Sequence, residues 1–202
     1  EGSRGLGDVY KRQVIGGGNI CRGRDSYDQE LKKTWQVDKI GMLSTMINAN
    51  IFSALLSNKK IDNVILSSVA MPQFFETYTY HLGEKYLSES KVVIFAGGTA
   101  MSGVSTDTLA VTRAIEMGIS NVVKVTNIDG VYDSDPSVNS NAKKIDSIAY
   151  QELLKKGLKI IDFSAASIAG EYNVNMYITN KYDRLIDVMQ DNSLSSRLIS
   201  CK

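Results

Sequence analysis

Short apolar runs alternate with longer amphipathic segments along the chain from Val14 onward. Each run is continuous and is bounded by polar residues or glycine, which is typical of strands covered on both faces. The predicted strands are Val64–Ser68, Val92–Ala96, Val122–Val125, Lys159–Ile161 and Met176–Ile178.

Helices are predicted between these strands. The longest is Val37–Leu56, in which apolar residues recur at spacings of three and four and form one apolar face. Those residues are Ile40, Leu43, Ile47, Ile51 and Leu55. The other predicted helices are Thr106–Met117, a segment with Ser164 as its N-cap that ends near Tyr172, and Arg184–Gln190.

Alternation of strands and helices predicts an α/β protein. We expect a three-layer αβα sandwich around a mostly parallel sheet, in one domain over residues 14–202. Ligands of such sheets collect beyond the carboxyl ends of the strands, so the chemistry is sought in the loops after each strand.

Composition narrows the class of protein. The chain has 202 residues, 43% hydrophobic and 22% charged, with a formal net charge of +1, which excludes collagen, coiled-coil and disordered proteins. Near-neutrality gives no indication of nucleic acid or membrane partners. Two distant cysteines and the single His81 do not form a zinc motif, so no protein-held metal is expected. Unbroken apolar runs are far shorter than a membrane span, and the free thiols suit a reducing cytosol, so we predict a cytoplasmic protein.

Residues 1–13 differ in character from the rest of the chain. They begin at Glu1 and run EGSRGLGDVYKRQ before an abrupt change to VIGGGN at Val14. Lys11, Arg12 and Gln13 stand where apolar residues would continue the strand backwards. We interpret residues 1–13 as a non-native or disordered leader.

Two strands end in glycine clusters, VIGGGNICRG (14–23) and VVIFAGGTAMSGVSTDT (92–108). Glycine lets backbone amides approach an anion, and a helix N-terminus after the loop offers N–H groups without intrahelical partners. Neither GxxxxGK[ST] nor GxGxxG occurs, which disfavours P-loop and standard dinucleotide-binding proteins. Two such loops in one small protein predict phosphate binding.

Two further segments end at candidate sites. In VVKVTNIDGVYDSDP, residues 122–136, Lys124 lies inside an apolar run, where a charge needs an anionic partner. Tyr132 offers an aromatic face to a base. In KIIDFSAASIA, residues 159–169, Asp162 stands just before a helix.

These motifs, in this order and spacing, resemble the bacterial UMP kinase (uridylate kinase) family of the amino acid kinase superfamily. The resemblance covers nearly all of the chain from Val14, and the helix containing GMLSTMIN is its most specific part. It implies transfer of the ATP γ-phosphate to UMP in pyrimidine nucleotide biosynthesis, with Mg²⁺ carried by the nucleotide. It also implies a hexamer built from dimers, activation by GTP and inhibition by UTP.

The resemblance further implies roles for individual residues. The UMP-binding set would be Gly17, Asp38, Thr99, Ala100, Met101, Ser102, Gly103, Val104, Ser105 and Thr106. The ATP-binding set would be Gly18, Arg22, Thr126, Tyr132 and Asp135. Arg22 would also stabilise charge during transfer, and Asp107 and Asp162 would organise basic groups and Mg²⁺. These last three form the catalytic set.

Two departures from the family pattern are visible. The family usually reads GTGNPFFTTD where this chain has GTAMSGVSTD (98–107), so the acceptor pocket differs. The family also opens with a strand and a Lys-x-Ser-Gly phosphate loop, and nothing like them precedes Val14. We therefore expect the first strand and phosphate loop to be missing, and this chain alone to have little or no kinase activity.

Two alternatives stay open. Another superfamily member, acting on a carboxylate such as acetylglutamate or glutamate, would account for the altered loop. A non-catalytic nucleotide-binding or storage protein would account for both departures.

Overall fold

The computed structural model describes residues 12–21, 35–183, 187–188 and 194–200. Its contacts divide the chain into two compact units, Glu1–Thr106 and Asp107–Lys202. Strands pair in parallel in most places and helices alternate with them, as the α/β prediction requires. The strands are shared between two four-stranded sheets and a two-stranded hairpin.

The first unit contains a fully parallel sheet in the order β1-β4-β2-β3. Its strands are β1 (Arg12–Val14), β2 (Asn63–Ser67), β3 (Glu76–Thr77) and β4 (Val92–Ala96), and its helices are α1 (Trp35–Asn58) and α2 (Tyr80–Ser88). β4 is central and its last four residues are buried. Met46, Ala49, Phe75, Ile94 and Ala96 form the core.

Strand β1 begins earlier than the sequence indicates. Arg12 pairs with Val93 and Gln13 with Ile94, in register with the pair Val14–Phe95. Backbone pairing at the edge of a sheet does not require an apolar side chain, and Arg12 and Gln13 are half-buried. The strand therefore includes Arg12 and Gln13, whereas residues 1–11 lie outside the described part.

Helix α1 confirms the longest predicted helix, but its apolar face is exposed. The residues of that face, Ile40, Leu43, Ile47, Ile51 and Leu55, are each 40–54% exposed. The buried face instead carries Val37, Ser44, Thr45, Met46 and Ala49 and packs against β2 and β4. Small residues allow this close approach. By length and composition α1 could also cross a membrane, a test that core helices of soluble proteins also pass.

The second unit contains a mixed sheet in the order β5-β9-β10-β8. Its strands are β5 (Asn121–Thr126), β8 (Ser147–Ala149), β9 (Asn175–Asn180) and β10 (Ser196–Ile199), and the hairpin is β6 (Val131–Tyr132) with β7 (Lys144–Ile145). Only the β9–β10 pairing in this sheet is antiparallel. The helices are α3 (Thr106–Glu116), whose first residue closes the first unit, α4 (Tyr150–Lys155) and α5 (Phe163–Glu171).

Two sequence predictions change here. Lys159–Ile161, all within the described residues, is not a strand but a connection between α4 and α5. Ile161 is buried, and the Ile160 carbonyl accepts a hydrogen bond from Lys124 rather than from a neighbouring strand. Helix α5 has Asp162, not Ser164, as its N-cap. Of the predicted helix Arg184–Gln190, only residues 187–188 are described, and they are helical.

Candidate active site

A pocket of about 200 Å³ lies wholly within the first unit. It is formed by the glycine loop after β1, the first half of α1 and the loop after β4. The lining residues are Gly17, Gly18, Cys21, Val37, Asp38, Gly41, Met42, Thr45, Gly98, Thr99, Val104, Ser105 and Thr106. Both glycine clusters recognised in the sequence therefore face one cavity.

The first glycine loop lies directly on α1. A Cβ atom at Gly17 would stand 2.8 Å from both the Gly41 carbonyl oxygen and the Ser44 Cβ, so only glycine fits. The Gly17 carbonyl accepts hydrogen bonds from the amides of Ile20 and Cys21, each at 3.0 Å, which folds the loop back on itself.

The second loop leaves β4 through two glycines in the left-handed region, Gly97 at φ 82° and Gly98 at φ 57°. The buried Gly97 amide donates to Thr45 Oγ1 at 2.8 Å. Ala100 comes next at φ 61°, a conformation that costs a residue with a Cβ about 1–2 kcal/mol. The loop therefore carries backbone strain at Ala100.

Asp38 connects the helix to the tip of this loop. Its Oδ2 accepts a hydrogen bond from the Gly103 amide at 2.8 Å. The pocket thus offers a carboxylate, the hydroxyls of Thr99, Ser105 and Thr106, and glycine backbone at its rim. These groups can bind the hydroxyls and phosphate of a small polar ligand.

The structure brings together most of the residues predicted for the acceptor. Gly17, Asp38, Thr99, Val104, Ser105 and Thr106 line the pocket, and so does Gly18, the residue predicted to bind ATP. Ala100, Met101, Ser102 and Gly103 belong to the same loop but are exposed and do not line the cavity.

Sequence reasoning missed the part of α1 that lines the pocket. Val37, Gly41, Met42 and Thr45 lie on the side of the helix that also carries Asp38. Their spacing of three and four residues is a signal for a second helix face. The more apolar stripe of α1 obscures that signal, because hydrophobic periodicity selects the stripe with the largest apolar side chains.

In the second unit, Lys124 has the anionic partner that its apolar surroundings demand. Its Nζ lies 2.5 Å from Asp107 Oδ2 and also donates to the Ile160 carbonyl at 2.8 Å. Both side chains are about three-quarters buried. Asp107 is therefore fixed by a cation at the start of α3.

Asp162 is held by structural contacts. Its Oδ1 accepts from the Ala165 amide at 2.9 Å, which caps α5, and from Thr108 Oγ1 at 3.0 Å. The Thr108 contact ties α5 to α3 beside Asp107. A capping role accounts for an aspartate just before a helix without any ligand.

The residues predicted for adenine and ribose lie at the end of β5 and beyond it. Thr126 Oγ1 accepts from the Ile128 amide at 2.9 Å, and Asp135 Oδ1 accepts from the amide and hydroxyl of Ser137 at 2.8 and 2.6 Å. These bonds from Ser137 lower the pKa of Asp135. Both residues therefore also stabilise the turns in which they lie.

Tyr132 belongs to a small polar network. Its hydroxyl donates to Asp129 Oδ1 at 2.9 Å, and Lys144 Nζ lies 3.2 Å from Asp129 Oδ2. Burial alone would raise the pKa of Asp129, but the hydrogen bonds from Tyr132 and Lys144 outweigh it and lower that pKa. The bond to Asp129 in turn raises the pKa of Tyr132.

Arg22 lies outside the described residues. Among the residues that are described, no group of three or more His, Cys, Asp or Glu side chains could hold a metal ion. That the protein itself binds no metal stays a prediction.

The pocket and both glycine loops fall within a segment that known proteins share. A family model described as the amino acid kinase family matches residues 6–180. The chain belongs to the amino acid kinase family. Among its curated relatives, the uridylate kinase of Wolinella succinogenes is 36% identical over 186 residues, which cover 91% of this chain and 77% of the relative. The uridylate kinase of Pseudothermotoga lettingae is 40% identical over 170 residues, 84% of this chain and 72% of the relative.

Solved structures agree with this assignment to the amino acid kinases. The UMP kinase from Ureaplasma parvum superposes with a TM-score of 0.86 at 28% identity, covering 94% of this chain and 81% of the other. The UMP kinase from Bacillus anthracis gives 0.84 at 25% identity, covering 94% and 80%. The predicted resemblance, the amino acid kinase fold and the assignment to a kinase are confirmed.

Proposed function

We propose that this amino acid kinase transfers the γ-phosphate of ATP to UMP, giving ADP and UDP, and that UMP occupies the pocket of the first unit. The observation that carries the proposal is the convergence of Gly17, Asp38 and the 98–106 loop on one cavity. The UMP kinases and uridylate kinases among its relatives support the choice of acceptor.

The reaction suits the groups present. An oxygen of the UMP phosphate attacks the γ-phosphorus of ATP, and the bond from that phosphorus to the β–γ bridging oxygen breaks as ADP leaves. Such a transfer needs in-line positioning and neutralisation of charge more than covalent help. Asp38 and the loop hydroxyls would hold the ribose and phosphate of UMP, and Ala100, Met101, Ser102 and Gly103 would complete the loop around it.

For ATP, the phosphate donor, the proposal uses residues of the first glycine cluster and residues at the end of β5 and beyond it. Gly18 and Arg22 bind the ATP phosphates, Arg22 stabilises the charge that develops, and Thr126, Tyr132 and Asp135 bind adenine and ribose. Asp107, already paired with Lys124, and Asp162 organise the basic groups and the Mg²⁺ that accompanies ATP.

We also propose that the protein is cytoplasmic and assembles as a hexamer of dimers, activated by GTP and inhibited by UTP. The exposed apolar face of α1 supports self-association, because five large side chains on one helix face are costly to leave in water. A two-fold contact would place this face against its copy.

The test compares binding and turnover on the full chain. We expect calorimetry to show UMP binding, and Asp38→Asn to weaken it at least tenfold, since a hydrogen bond to a charged group contributes about 1.5–3 kcal/mol. Asp62→Asn, which removes the same charge at an exposed position of the first unit, is the matched control.

Because this chain alone is expected to have little or no kinase activity, ADP formation is measured after a strand and Lys-x-Ser-Gly loop of the family type are added before Val14, and it then distinguishes the alternatives. UMP-dependent ADP formation supports the proposal. ADP formation with acetylglutamate or glutamate, but not with UMP, would identify a carboxylate kinase. Nucleotide binding without ADP formation from any of these acceptors would favour a non-catalytic nucleotide-binding protein.

A further inference from the structure

One side of α1 carries three polar side chains whose hydrogen bonds reach the two glycine loops. Asp38 accepts from the Gly103 amide, Thr45 accepts from the Gly97 amide, and Asn48 donates to the Gly16 carbonyl. Thr45 and Asn48 come seven and ten residues after Asp38, about two and three helical turns. One rigid helix therefore contacts the backbone of both loops.

The orientation of the Thr45 hydroxyl is fixed from two sides. Its single proton is donated to the Met42 carbonyl at 2.7 Å, so a lone pair faces the Gly97 amide. Thr45 is 3% exposed, and Gly97 is buried as well. Loss of this acceptor would leave the buried Gly97 amide without a hydrogen-bond partner at the point where the second loop leaves β4.

Asn48 holds the first loop in a comparable way. Its Nδ2 donates to the Gly16 carbonyl at 2.8 Å and to Asn19 Oδ1 at 2.6 Å, and Asn19 Nδ2 donates back at 3.2 Å. The paired amides fasten both ends of the turn that contains Gly17 and Gly18. Asn48 itself does not line the pocket.

We propose that Thr45 and Asn48 are positioning residues of the acceptor site, Thr45 setting the 97–103 loop and Asn48 the 16–19 loop. This inference rests on the proposed function, because UMP is the ligand that the loops would receive. Thr45 acts through the backbone of Gly97 rather than on the ligand, since its hydroxyl is already engaged by Met42 and Gly97. Asp38 then fixes the far end of the same loop.

Three variants separate positioning from packing. Thr45→Val keeps the shape of the side chain but removes the hydroxyl, and Thr45→Ser retains the hydroxyl. Ser44→Ala is the matched control, because Ser44 is equally buried and neighbours Thr45, and among the described residues its side chain bonds only to the Ile40 carbonyl of its own helix. Asn48→Asp removes the amide donors of the less buried site and provides a second test if Thr45→Val does not fold.

Binding of UMP is measured by calorimetry, and exchange of the Gly97 amide by NMR. We expect Thr45→Val to weaken UMP binding about tenfold and to accelerate Gly97 exchange at least tenfold, with ATP binding unchanged. Thr45→Ser should restore UMP binding to within about twofold of the unmodified chain. Asn48→Asp should weaken UMP binding, and Ser44→Ala should leave both measurements unchanged.

The outcomes separate this inference from the proposed function. If the unmodified chain does not bind UMP, the proposed function fails, and with it the inference. If it does bind UMP but Thr45→Val or Asn48→Asp binds equally well, the inference alone is overturned. Equal losses in Ser44→Ala and Thr45→Val would also overturn it, since they would indicate general packing of α1.

Discussion

Lys124 Nζ lies 2.5 Å from Asp107 Oδ2, although the two residues belong to different elements, β5 and α3. The pair joins the half-buried middle of a strand to the first turn of a helix. It also explains how a lysine is accommodated inside an apolar run, because its charge is matched and its ammonium is further bound by a backbone carbonyl.

The coupling within this pair should be measurable. In a double-mutant cycle of Lys124→Met and Asp107→Asn, monitored by urea unfolding, we expect a coupling free energy of about 1–2 kcal/mol, because both side chains are mostly buried. The exposed pair Lys156–Glu152, half-exposed at both ends, should give about 0.3–0.5 kcal/mol. Equal values for the two pairs would contradict the importance of burial.

Ala100 stores backbone strain in the loop after β4. Ala100→Gly should raise the free energy of unfolding by about 0.5–1 kcal/mol, since relief of the left-handed conformation exceeds the entropy that glycine adds to the unfolded chain. Ser102→Gly, in the same exposed loop without a positive φ, should lower it by about 0.4–1 kcal/mol. Urea unfolding measures the change in the free energy of unfolding for each variant. Changes of the same sign in both variants would refute the strain at Ala100.

Asp129 and Tyr132 should make stability depend on pH at both ends of the range. The pKa of Asp129 is lowered in the folded chain, so its contribution is present above the unfolded pKa and is lost as pH falls through the lower folded pKa. The pKa of Tyr132 is raised, so its contribution is present below the unfolded pKa and is lost as pH rises through the higher folded pKa.

NMR of the assigned Asp129 carboxyl carbon and Tyr132 Cζ carbon can monitor these two groups separately. Tyr132→Phe should shift the Asp129 pKa upward and abolish the alkaline loss of stability due to Tyr132. Asp129→Asn should lower the Tyr132 pKa towards its ordinary value. An Asp129 pKa that is unchanged in Tyr132→Phe would show that their hydrogen bond does not set it.

The buried strands are predictable from the sequence because their apolar runs are local. Val92–Ala96 is found with the predicted bounds. The prediction that Lys124 has an anionic partner is also confirmed, because its Nζ contacts Asp107. Lys159–Ile161 also contains consecutive β-branched apolar residues, yet the Ile160 carbonyl accepts a hydrogen bond from the Lys124 side chain instead of pairing with a strand. Composition alone does not distinguish a buried connection from a strand.

The candidate pocket was predictable only in part, for a related reason. Glycine loops and Asp38 have recognisable local patterns, whereas Thr45 acts on Gly97 across 52 residues of sequence. The face of α1 was misleading as well, since its largest apolar side chains are exposed and small residues such as Ala49 are buried. Which face packs on a sheet is decided by how closely the backbones approach, and hydrophobic periodicity does not record that distance.

The exposed face of α1 gives a last prediction, on self-association. Ile47 lies at the middle of this face and is 51% exposed, so Ile47→Glu should change the stability of the separated chain by no more than about 0.5 kcal/mol. In an assembly that buries this face, the same substitution desolvates a carboxylate and should dissociate the contact. Sedimentation should then show smaller species for Ile47→Glu, with unchanged circular dichroism. Gln151→Glu, which adds the same charge to an exposed position of α4, should keep the original assembly. An unmodified chain that sediments as a monomer, or an Ile47→Glu assembly of unchanged mass, would exclude this face as the contact.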